Sequence, residues 1–114
     1  MKAEKLLIVE GLSDKKRIQK VLSEQVAIIC TNGTVSSYRM EELLYPFEGY
    51  DLYVFMDADD SGDKLRQLFI REYPEAIHLY TERLYGQVEK TPLRKIAEIL
   101  LRADFKVHPE FLLY

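Results

Sequence analysis

The sequence predicts an α/β fold, a mainly parallel sheet of about four strands with helices on both faces. Four apolar runs without alternation, Leu6 to Val9, Val26 to Cys30, Leu52 to Met56 and Ala76 to Tyr80, have the character of strands buried on both faces. Segments whose apolar residues recur at helical spacing separate them, and that alternation implies βαβ crossovers. At 114 residues, 47% of them apolar, the chain has the size of one domain, 1–114, with enough material for a core.

The elements follow in order. Ser13 is the expected N-cap of a first helix whose Ile18, Val21 and Leu22 share a face. Ser36 or Ser37 caps a shorter helix containing Met40, Leu43 and Leu44. After the third strand, Leu65, Leu68 and Phe69 keep the helical spacing, with Tyr73 one turn on and Pro74 as the stop. Thr91 as cap and Pro92 at the first helical position introduce the clearest helix, through Leu93, Ile96, Ala97, Leu100 and Leu101. The segment from His108 to Tyr114 reads as an edge strand or as a tail packed on the sheet. No internal repeat, low-complexity segment or linker interrupts the pattern.

Composition narrows the function classes. No apolar run approaches the roughly 20 residues that cross a bilayer, and the start MKAEKLLIVEG lacks the features of a signal peptide, so the expected location is cytoplasmic, with no membrane partner. The single cysteine, Cys30, lies in the run VAIIC and reads as a buried reduced thiol. A net charge of −3 argues against coating nucleic acid by bulk electrostatics. The distribution says more. Asp51 to Asp63 holds five acids and no base, while Ser13 to Lys20 and Arg83 to Lys106 each come to +3. A divalent cation bound in such an acidic spot would turn it electropositive for phosphate.

In an open parallel sheet, ligands bind at the carboxyl ends of the strands, near the point where the winding reverses. The polar residues fall there. Strand one ends in Glu10-Gly11, strand two in Thr31-Asn32-Gly33, and strand three in Asp57-Ala58-Asp59-Asp60-Ser61-Gly62. Hard carboxylate oxygens suit magnesium or manganese. A calcium-binding EF-hand loop fails on two counts: its twelfth position would be Leu68, and a strand precedes the cluster where a helix is required. An aspartyl phosphatase or a phospho-receiver domain leaves the Glu-Gly after strand one without a purpose, and the receiver wants paired acids there.

The ordered set Val9-Glu10-Gly11-x-x-Asp14, Asn32-Gly33 and Asp57-x-Asp59-x-x-Gly62 resembles the Toprim signature, shared by type IA topoisomerases, bacterial primases, recombination mediators and several nucleases. Within that family the chain is most similar to the ribonuclease that matures 5S ribosomal RNA, through Thr31-Asn32-Gly33, Gly62-x-Lys64-x-Arg66, and Val88-Glu89 before Thr91-Pro92. The resemblance implies a small Toprim fold in which Glu10 is the general acid or base and a metal ligand, and Asp57 and Asp59 hold Mg2+ or Mn2+. Gly11, Asn32, Gly33, Gly62, Lys64 and Arg66 would then lie along nucleic-acid phosphates, Lys64 and Arg66 competing with a plain role as solvated helix cations. Asp14, Asp60 and Glu89 are further candidates for the site. Asp14 serves equally as a first-turn acid, and Asp60 and Asp63 either bind a second metal or lie in solvent.

The resemblance also has departures. Lys90 stands where the family's ribonuclease has a histidine, and that enzyme's further C-terminal domain has no counterpart in these 114 residues. None of the eight tyrosines matches the topoisomerase nucleophile. The implied activity is magnesium-dependent phosphodiester hydrolysis on nucleic acid, RNA favoured over DNA. The alternative is a binding module that keeps the metal site without cutting and works with a protein partner or as a homo-oligomer. His78 and His108 read as structural, and Tyr50, Tyr53 and Tyr80 as core or sheet surface.

Overall fold

Four strands, β1 (Lys5–Val9), β2 (Ala27–Cys30), β3 (Asp51–Met56) and β4 (Ile77–Tyr80), pair in parallel in the order β2-β1-β3-β4. They alternate with four helices, α1 (Leu12–Val21), α2 (Ser37–Leu44), α3 (Asp60–Glu72) and α4 (Leu93–Arg102). This is a computed structural model, and it describes residues 4–113; the first three residues and Tyr114 lie outside it. Among the described residues no helix is long and apolar enough to cross a membrane.

The strand order carries the functional consequence. From β1 the chain runs through α1 to β2 on one side, then through α2 to β3 on the other side of β1. Right-handed crossovers therefore put α1 and α2 on opposite faces. Two cores result. Leu7, Val9, Tyr53 and Phe55 pack with Ile18, Ile96, Leu100 and Phe105 on the α1 and α4 face. Leu6, Ile8, Val54 and Met56 pack with Met40, Leu65, Leu68 and Phe69 on the α2 and α3 face. Central strands thus bury both sets of alternating side chains, which is why they read as unbroken apolar runs.

Several local expectations need correction. Gly11, not Ser13, caps α1, and its amide donates to Asp14 Oδ2 at 3.1 Å. Pro92 is itself the cap of α4, so Leu93 is the first helical residue. Thr91 is instead fully buried, its hydroxyl donating to the Gln87 carbonyl at 2.9 Å and lying 2.5 Å from the Thr81 hydroxyl. Ser36 caps α2 by accepting from the Arg39 amide. The C-terminal segment is a tail: a 3-10 turn at Pro109–Leu112 places Phe111 and Leu112 against the α1 and α4 core. Cys30 is half-buried and free, and burial pushes its thiol pKa up.

Arg66 differs most from expectation, because its side chain is 5% exposed. Its Nη2 donates to the Met56 carbonyl at 3.0 Å and the Leu79 carbonyl at 2.6 Å, Nη1 lies 3.2 Å from His78 Nδ1, and the guanidinium stacks over Tyr80 at 4.0 Å. It clamps the ends of β3 and β4 together and is committed to the fold, in neither a solvated nor a phosphate-facing position. Arg66→Ala would leave two carbonyls unpaired and a void under Tyr80, a loss of about 2–4 kcal/mol in urea denaturation. A loss below about 0.5 kcal/mol, the level of an ordinary surface change, would show that the clamp is dispensable.

Candidate metal centre

Reversal of winding between β1 and β3 opens a crevice at their carboxyl ends, and Glu10 and Asp57 are the residues that leave the strands there. Asp59 follows as the N-cap of α3. One carboxylate oxygen from each of Glu10, Asp57 and Asp59 falls within 4.8 Å of the others. No other group of three potential ligands comes together among the described residues.

Each acid is held by a different device. The Glu10 carbonyl accepts from the Asn32 amide at 2.7 Å, which extends the β1–β2 ladder past its last residues. Asp57 Oδ1 accepts from the Val88 amide at 2.8 Å, so the short 3-10 turn Val88–Lys90 fixes its rotamer. Asp59 Oδ1 accepts from the Gly62 amide at 2.7 Å, the capping bond of α3. Gly62 also passes so close to Asp57 that a Cβ there would lie 2.0 Å from the Asp57 carbonyl oxygen. Only glycine lets α3 start directly over the end of β3.

Electrostatics follow from this crowding. Burial first, then a hydrogen bond with Asp57 and the charges of Asp57 and Asp59, push Glu10 up to about 8. Glu10 Oε1 is buried with no hydrogen-bond partner. Asp14 is 5% exposed, and burial followed by the charge of Asp57 raises it to about 6. Three convergent carboxylates with an orphaned buried oxygen make a donor set that fits a hard divalent cation.

Glu10, Gly11, Asp14, Asn32, Asp57 and Glu89 all line one cleft of about 360 Å³. Asn32 and Gly33 turn the chain there with φ of 58° and 107°, the left-handed conformation that Asn and Gly tolerate. The amides of Gly11, Asn32 and Gly62 are already donated to Asp14, Glu10 and Asp59. Asp60 is exposed on the first turn of α3, and Lys64 is exposed beside the Thr34–Ser37 loop, outside the cleft. Two contributions were hidden although the sequence marked the residues: the Val88 amide that holds Asp57, and the buried Arg66 guanidinium, whose charge senses Glu10 and Asp57.

A carboxyl whose folded pKa lies above its ordinary value binds a proton in the folded state that the unfolded state has released. Between about pH 4.5 and pH 8 the metal-free protein therefore loses stability as pH rises through the Glu10 titration. Glu10→Gln is expected to flatten that slope, as measured by thermal unfolding in EDTA at several pH values; an unchanged slope would contradict the placement of Glu10. Gly62→Ala is expected to cost about 1–3 kcal/mol or more and to weaken Mn2+ binding read by electron paramagnetic resonance, whereas Ser61→Ala on the exposed side of the same turn leaves both unchanged. Wild-type behaviour of Gly62→Ala would mean that α3 shifts freely over Asp57.

No family model matches the chain. It is 50% identical over 109 residues to the uncharacterized protein YusF of Bacillus subtilis, covering 96% of this chain and 75% of that one. It is 28% identical over 81 residues to ribonuclease M5 1 of Ligilactobacillus salivarius and 22% identical over 85 residues to ribonuclease M5 of Fusobacterium nucleatum. The aligned segments span 43% and 46% of those two proteins. A solved structure, the small TOPRIM domain protein from Bacillus stearothermophilus, matches with a TM-score of 0.93 at 50% identity, over 99% of this chain and 96% of that one. With that identity maintained over nearly the full length of both, the chain belongs to the small Toprim domain proteins.

Proposed function

We propose that the chain hydrolyses nucleic-acid phosphodiesters with magnesium, RNA in preference to DNA, residues 1–114 working as one domain. The observation that carries this reading is the convergence of Glu10, Asp57 and Asp59 at the winding reversal. The preference for RNA rests on the two relatives that are named ribonucleases.

Asp57 and Asp59 would hold the ion, with Glu10 completing its shell. When bound, magnesium supplies charge neutralisation at the phosphoryl oxygens. The chain's own residues supply the rest. Glu10, at the end of β1 beside both aspartates, is the residue proposed to take a proton from an attacking water or to return one to the leaving oxygen. Asp57 stays aimed because its Oδ1 accepts from the Val88 amide. Asn32, which lines the cleft, and Gly33 next to it in the turn would border the path of a phosphate chain.

Incubation of a mixed panel of structured RNAs and DNAs with magnesium or manganese tests the proposal. Glu10→Gln is expected to slow cleavage by about 10²–10⁴-fold, and Asp57→Asn/Asp59→Asn to abolish it. Tight binding without cleavage under every divalent metal tried would overturn hydrolysis and leave a nucleic-acid binding module.

A further inference from the structure

The opposite end of the sheet carries a second acidic region with a different character. There α2 runs into a 3-10 turn, Tyr45–Phe47, and Gly49, at φ of 86°, returns the chain to β3. This turn walls two adjoining hollows of about 410 and 380 Å³ that share Glu41 and Tyr45. The first is floored by Phe47, Tyr50 and Tyr73, with Phe47 and Tyr50 edge to face at 5.4 Å. The second lies between Tyr38 and Tyr45, which are 73% and 79% exposed.

Carboxylates rim both hollows. Glu41, Glu48 and Glu75 border the first, and Glu41 and Glu42 the second. From Met40 to Asp63 the sequence contains no lysine, arginine or histidine. Among the described residues, Glu42 pairs with Arg39 at 3.9 Å, while Glu41, Glu48 and Glu75 form no ion pair. Burial and then the charges of Glu41, Glu72 and Glu75 raise the Tyr73 hydroxyl, so these carboxylates bear on the aromatic floor.

Aromatic faces and carboxylates repel phosphate and attract cations, and an uncharged apolar partner would bury the carboxylates without compensation. We infer that this groove docks a protein segment bearing two or more arginine or lysine side chains, one seated in each hollow. Arginine fits best, since its planar guanidinium stacks on tyrosine while donating to carboxylate. The six residues of β3 separate this groove from the metal centre by roughly 20 Å, so both can be occupied together.

Anisotropy of a short fluorescein-labelled peptide of alternating arginine and alanine tests the inference. Glu41→Gln/Glu48→Gln/Glu75→Gln is expected to weaken binding about tenfold, as the sum of three surface ion pairs. Tyr45→Ala, which changes no charge, is expected to weaken it about threefold. Asp57→Asn/Asp59→Asn is expected to bind as wild type. Equal affinity for wild type and Tyr45→Ala would reduce the groove to a diffuse negative field and overturn the inference. Loss of binding in the Asp57→Asn/Asp59→Asn protein alone would place the peptide in the metal centre and overturn it as well. So would a dimer in sedimentation that dissociates in Tyr45→Ala, because a second copy would then be the occupant.

Discussion

Three carboxylates held within 4.8 Å repel one another, and much of the structure around them exists to keep them there. Among the described residues no lysine or arginine pairs with these carboxylates; the buried cation nearby, Arg66, spends its donors on the Met56 and Leu79 carbonyls. The restraint is geometric. Gly62 lies against the backbone of Asp57 and caps through Asp59, so the start of one helix fixes two of the acids at once. Burial in this crevice, and after it the repulsion that cannot relax by movement, appears as proton affinity, which is why Glu10 and Asp14 are both raised.

The segment that leads into α4 matters as much as the strands. The Ala58 amide donates to the Gly86 carbonyl at 2.7 Å, and the Val88 amide reaches Asp57 Oδ1. Thr91 locks this loop through Gln87 and Thr81, and Arg17 Nη2 reaches across from α1 to the Thr91 carbonyl. Elements more than 70 residues apart in sequence thus share one buried polar network next to the crevice. Such networks are rigid where they are satisfied, and two buried atoms stay without a partner here, Arg17 Nε within the network and Glu10 Oε1 beside it.

Much of this was legible in the sequence, and the reasons differ by level. The central strands showed because both faces are buried, so Leu6 to Val9 and Leu52 to Met56 had no polar position to confuse the pattern, whereas the edge strands β2 and β4 are apolar runs that are buried only in part. The acids showed because Glu10, Asp57 and Asp59 sit where apolar runs stop. What stayed hidden were contacts between residues distant in sequence. Thr91 before Pro92 looks like a cap, yet its hydroxyl is drawn into the loop network instead. Arg66 sits among apolar positions of α3, and only the nearby ends of β3 and β4 reveal why a guanidinium belongs there. The Val88 amide carries no side-chain signal at all.

The two acidic regions at the ends of β3 show how neighbours decide what a carboxylate binds. At Asp57 and Asp59 the surroundings are backbone amides and other carboxylates, hard oxygen chemistry with no aromatic ring among the described residues that line the cleft. At Glu41, Glu48 and Glu75 the carboxylates stand apart around tyrosine and phenylalanine rings. A small, strongly hydrated ion gains little from an aromatic face, whereas a large, weakly hydrated guanidinium gains both the ring and the charge. On the two proposals together, one strand separates two cation sites of opposite preference, and a negatively charged substrate drawn to the metal end would be turned away from the other.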